Sequence, residues 1–163
     1  MIADPQARGA ALADFFGRVS PALWGDLVAS GLLAADDERA SREWSCFALL
    51  ACVRGMVAAG GFNARSKDAI DAFHAAVLEQ RTGHDPVDEP IAPLVAERYA
   101  EYEPIAQAGG KSGADSVALR LGERAASHVG ARAGADAELA AALGDLYEAL
   151  AEGAAESVRR GGA

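Results

Sequence analysis

The run WSCFALLACVRGMVAA, Trp44 to Ala59, decides the fold. Its large apolar residues, Trp44, Phe47, Leu49, Leu50, Val53, Met56 and Val57, together with Cys46, fall on every side of a helix that turns once in 3.6 residues. A helix apolar all round is either wrapped by other helices or set in a membrane. Arg54 lies well inside the run, and Gly55, Gly60 and Gly61 weaken its far end. An arginine at the centre of a membrane span costs about 2.5–3.5 kcal/mol, so the run reads as the buried helix of a soluble domain with no membrane partner. Asp36-Asp37-Glu38 places negative charge where a helix N-terminus favours it. The expected central element therefore runs from about Asp36 to Ala59.

Outward from that element, the punctuation is helical throughout. Asp4-Pro5 and Ser20-Pro21 each set a capping side chain ahead of a proline suited to a first turn. Two helices are expected there, one facing inward with Leu12, Phe15, Phe16 and Val19, the other with Leu23, Trp24, Leu27 and Val28. Ser66 is read as the cap of a fourth helix, Lys67 to Gln80, striped with Ile70, Phe73, His74, Val77 and Leu78. A loop from Thr82 to Pro86 leads to a fifth helix starting near Asp88 or Glu89, with Pro90 in its first turn. Ile91, Leu94, Val95, Tyr99 and Tyr102 face inward from it. Pro104 lacks an amide hydrogen and clashes with the preceding turn, so a kink or stop is expected there. Ser112 and Asp115 have capping-box spacing and open a sixth helix carrying Val117, Leu121, Ala125 and Val129. The last helix, Ala135 to Val158, carries the stripe Leu139, Leu143, Leu146, Tyr147, Leu150, Ala154 and Val158, closed by Arg159 and Arg160.

No stretch alternates with the two-residue period of a strand. The expected fold is all-α: a single compact domain of about seven helices, residues 1–160, around the apolar helix at 36–59, with residues 161–163 as a frayed C-terminal tail. Composition agrees. The chain has 163 residues, 51% hydrophobic and 24% charged, and 40 are alanine, the best helix former. A chain of this length buries enough surface to need neither disulfide nor metal for its core. Cys46 and Cys52 are separated by roughly 600° of rotation and about 9 Å of rise on one helix. They cannot bridge and read as small buried hydrophobes.

The net charge of −9 argues against nucleic acid, whose phosphates are held by Lys and Arg. An acid, Asp4, stands where a secretory leader would carry positive charge. A cytoplasmic location is expected.

Motifs for chemistry fail one by one. Gly109-Gly110-Lys111-Ser112 resembles the end of a phosphate-binding loop, but Ile105 stands where that loop needs its first glycine, and a helix precedes it instead of a strand. Dinuclear bundle sites use Glu-x-x-His, which does not occur; Glu123 and His128 are five apart and face different ways. Asp85, Asp88 and Glu89, an acidic loop with the one imidazole of His84, read as helix-start caps and dipole partners and not as metal ligands. No Gly-x-Ser-x-Gly nucleophile elbow is present. No cofactor and no metal is expected, and nothing argues for an enzyme.

Two features remain. Asp71-x-x-His74 and the segment Glu97-Arg98-Tyr99-Ala100-Glu101-Tyr102 could bring Asp71, His74, Glu97, Arg98, Glu101 and Tyr102 to one ligand site if the fourth and fifth helices pack together. The plainer reading of that segment is a buried Tyr–Arg–Glu network that fixes helix packing. Trp24 and Phe62 are left over once a bundle core is filled and are candidates for an interface, as is the last helix. The favoured expectation is a non-enzymatic cytosolic helical protein acting through protein contacts, with a protein partner or a second copy of itself. The competing one is a small-ligand or metal-binding helical protein, of hydrolase or lyase type, with its site near the fourth and fifth helices.

Overall fold

The structure, a computed structural model, describes residues 4–82, 91–108, 116–130 and 136–161. Those residues form six α-helices and no strand: α1 (Pro5–Ala29), α2 (Glu38–Gly60), α3 (Ala64–Thr82), α4 (Ala92–Gln107), α5 (Val117–Val129) and α6 (Ala137–Gly161).

Six replaces the expected seven because the first two helices are one. α1 runs straight through Pro21. The serine read as a cap is buried instead, and its hydroxyl and carbonyl both accept from Trp44 Nε1, at 3.2 Å each. Ser20 is thus held by a partner on α2, and the helix tolerates a proline that lacks an amide hydrogen. Pro104 is passed in the same way, since α4 continues to Gln107.

The caps follow local chemistry elsewhere. Asp4 accepts from the Gln6 amide at 3.2 Å, and Asp37 from the Ala40 amide at 2.9 Å. α3 opens with a reciprocal box: Ser66 Oγ accepts from the Asn63 amide at 2.8 Å, and Asn63 Oδ1 from the Ser66 amide at 3.1 Å. Asn63 is therefore the cap, and Ser66, expected in that role, is its partner within the first turn. Ser116 caps α5 through the Leu119 amide at 3.1 Å. The expected Ser112–Asp115 box, the helix start at Asp88 or Glu89 with Pro90, and the acidic set from His84 to Glu89 lie outside the described residues. Gly161, expected to fray, is the last helical residue.

α2 packs against each of the other helices. Trp44, Phe47, Leu50, Cys52 and Met56 are buried on its different sides, joined by Leu12, Phe73, Tyr102, Leu121, Leu143 and Leu150 from all five neighbours. By length and composition α2 could cross a membrane, but 67% of its most apolar window is buried within the fold. Arg54 reaches the edge of this core, where it pairs with Glu103 of α4 at 3.7 Å. Burial pushes the Cys52 thiol well above its usual range, so it behaves as a small hydrophobe.

α6 lies close along α5 and α2, and two glycines allow that approach. A side chain at Gly122 would run into the Ala140 carbonyl and the Gly144 backbone; one at Gly55 would run into the Ala151 carbonyl. The α6 stripe of Leu139, Leu143, Tyr147, Leu150, Ala154 and Val158 is buried against its own chain.

Candidate functional site

α4 is the helix on which the site question turns, because it presents different chemistry on two sides. It packs against α2 and α5 but makes no comparably close approach to α3.

Toward α2 and α5 it presents charge. Arg98 forms a bidentate pair with Glu43 of α2: Nε donates to Oε2 at 2.7 Å and Nη2 to Oε1 at 2.9 Å. Both side chains are largely buried, 12% and 7% exposed. The hydrogen bonds it donates to Glu43 hold the Arg98 guanidinium protonated above even its ordinary range. Arg98 also pairs with Glu97 at 3.0 Å and Glu101 at 3.5 Å. His128 Nε2 of α5 donates to both oxygens of Glu101, at 2.9 and 2.8 Å, and Arg124 donates to the same carboxylate at 3.1 Å. Burial would raise the Glu101 pKa, but the interactions with His128 and Arg124 outweigh it and hold it below its usual value. Arg39 extends the seam by donating to the carbonyls of His128 and, at 3.0 Å, Gly130 at the end of α5.

This polar seam joins three helices. Its acids and bases are committed to one another, which makes it a packing device. Tyr102 is fully buried beside it, its ring edge-on to Phe47 at 5.9 Å. Burial raises its pKa above the usual phenol range, and its hydroxyl has no hydrogen-bond partner among the described residues.

Toward α3, α4 presents apolar side chains across a gap. The gap has a volume of about 270 Å³ and is walled by Leu49 of α2, by Val77 and Leu78 of α3, and by Ile91 and Val95 at the start of α4. Ala92 and Ala96, both exposed, lie at its rim. One polar bridge spans it: His74 Nε2 lies 2.7 Å from the Tyr99 hydroxyl, with ring centroids 5.5 Å apart. Desolvation lowers the His74 pKa, against a smaller opposing contribution from the Ile70 carbonyl, and raises that of Tyr99 well above 10. Both are therefore neutral at pH 7. The hydrogen bond between Nε2 and the Tyr99 hydroxyl ties α3 to α4 across the gap.

The six residues expected to share one site are thus divided. Asp71 is exposed and paired with Lys67 at 2.8 Å. His74 belongs to the apolar gap. Glu97, Arg98, Glu101 and Tyr102 lie at the polar seam, with Glu97 at its exposed margin. Glu43 and His128 complete the seam and were not anticipated. An acid at the head of the apolar run was the only local sign of Glu43. Tyr99, expected to face inward, proves to be the partner of His74. Among the described residues no group of three His, Cys, Asp or Glu side chains converges as a metal site would require.

The two interface candidates differ. Trp24 is partly buried against the core, whereas Phe62, in the α2–α3 turn, is 77% exposed. Comparison with protein-family models, with curated proteins and with solved structures finds no match.

Proposed function

We propose that the protein binds a small apolar molecule in the gap between α3 and α4, and that it does so as a binding module without chemistry of its own. The observation that carries this reading is the gap itself, apolar on its walls and spanned by one neutral His–Tyr pair. Small-molecule sites are largely apolar clefts with a few placed polar groups, and volumes start near 300 Å³. Supporting it, the acids and bases nearby are committed to the seam on the other side of α4. The protein-contact reading has less to build on: Phe62 is the one large exposed apolar side chain among the described residues, and a partner surface usually needs a patch of several hundred Å².

The test uses 2-naphthol as probe. Wild-type protein is expected to bind it with a Kd of about 1 mM or tighter, corresponding to about −4 kcal/mol. Ala96→Phe places a ring over the rim from an exposed helical position. It should abolish binding while leaving the melting temperature within a few degrees. Equal binding by both proteins, or none by the wild type, overturns the reading. So does a concentration-dependent dimer in sedimentation that Ala96→Phe dissolves, since the gap would then be occupied by a second copy.

A further inference from the structure

From the walls of this gap we infer the class of ligand: an uncharged, mainly hydrocarbon molecule of about bicyclic aromatic size. The inference rests on the gap being a ligand site and adds what that site would accept and refuse.

Charge is decided by what lines the gap. None of its described lining residues is charged. The nearest cation along α4, Arg98, is turned to Glu43 at 2.7 Å. Arg54 is turned to Glu103 at 3.7 Å, and Lys67 to Asp71 at 2.8 Å. A carboxylate entering the gap would lose its water and meet no cation among the described lining residues. An unpaired ion in such surroundings pays several kcal/mol, on the order of a hundredfold or more in affinity.

Polarity is low on the same walls: the one polar pair among the described lining residues, His74 Nε2 and the Tyr99 hydroxyl, is already engaged at 2.7 Å.

Size follows from volume. A dry cavity of about 150 Å³ accommodates benzene. On the same scale about 270 Å³ suits about ten to twelve non-hydrogen atoms, two fused rings with one substituent.

Three probes on the full-length wild-type chain test this: phenol, 2-naphthol and 2-naphthoate, each titrated at pH 7 and followed by ligand fluorescence and by melting temperature. 2-Naphthol should bind at least about tenfold more tightly than phenol, because the second ring buries further apolar surface. 2-Naphthoate, with the same rings and a charge, should bind at least about thirtyfold more weakly than 2-naphthol. A smaller ratio in the second comparison overturns the neutral class, and a smaller ratio in the first overturns the size, while either result leaves the site standing. Failure of all three to bind removes the site itself. Binding that Ala96→Phe does not weaken removes it equally.

Discussion

Replacing Arg98 with methionine tests the polar seam most directly. The substitution keeps most of the aliphatic stem and removes the guanidinium. Glu43, whose side chain is 7% exposed, then loses hydrogen bonds of 2.7 and 2.9 Å, and no second ion pair holds it among the described residues. Breaking one half of a buried ion pair typically costs about 3–5 kcal/mol, because an uncompensated charge is left in poor solvent. Methionine retains some of the packing, so the lower end applies, about 3 kcal/mol. For a chain of this length that corresponds to a fall in melting temperature of about 10 °C. Glu43→Leu combined with Arg98→Met removes both charges and should return stability to within about 1 kcal/mol of wild type, since well-packed apolar replacements of buried pairs are often neutral. Urea denaturation at pH 7 on the wild type, both single variants and the double variant closes the cycle. A loss below about 1 kcal/mol for Arg98→Met would refute the claim that the pair is desolvated. A double variant less stable than either single one would show that the pair itself, and not the stranded charge, holds α4 to α2.

Two further outcomes follow from the geometry. Gly122→Ala should cost about 1–3 kcal/mol by overpacking, because α5 must move off the Ala140 carbonyl and Gly144; a variant as stable as wild type in urea would mean the α5–α6 approach is looser than described. His74 has a lowered pKa in the fold and an ordinary one near 6.5 in the unfolded chain. Below about pH 6.5 the unfolded chain therefore binds the extra proton first, and stability falls with pH until the lowered folded value is reached. Urea midpoints of wild type and His74→Gln should accordingly converge or cross as pH falls from 8 to 5. A constant difference between them across that range would exclude His74 as the titrating group.

What was legible in the sequence and what was not divide along a physical line. The helical class and most boundaries rest on interactions within a few residues, and those leave marks in the chain. Asp4 and Asp37 cap helices because a short polar side chain can reach an amide two or three positions on. The apolar surround of Trp44 to Ala59 requires covering whatever covers it, and α2 does pack against all its neighbours. Ser20-Pro21 has the local form of a helix start, yet its outcome depended on Trp44, 24 residues away.

The site followed the same division. Asp71 and His74 are one turn apart and look like a pair, but their angular offset turns Asp71 to solvent and His74 to the gap. His74 meets Tyr99 at a separation of 25 residues, and Arg98 meets Glu43 at 55. The sequence by itself determined that there would be helices, roughly where most of them would begin and end, and which stripes they would bury. Tertiary structure alone decided which stripe faces which. Side-chain period specifies a direction around one helix axis, whereas the rotation and shift of one axis against another are set by the summed packing of the whole core.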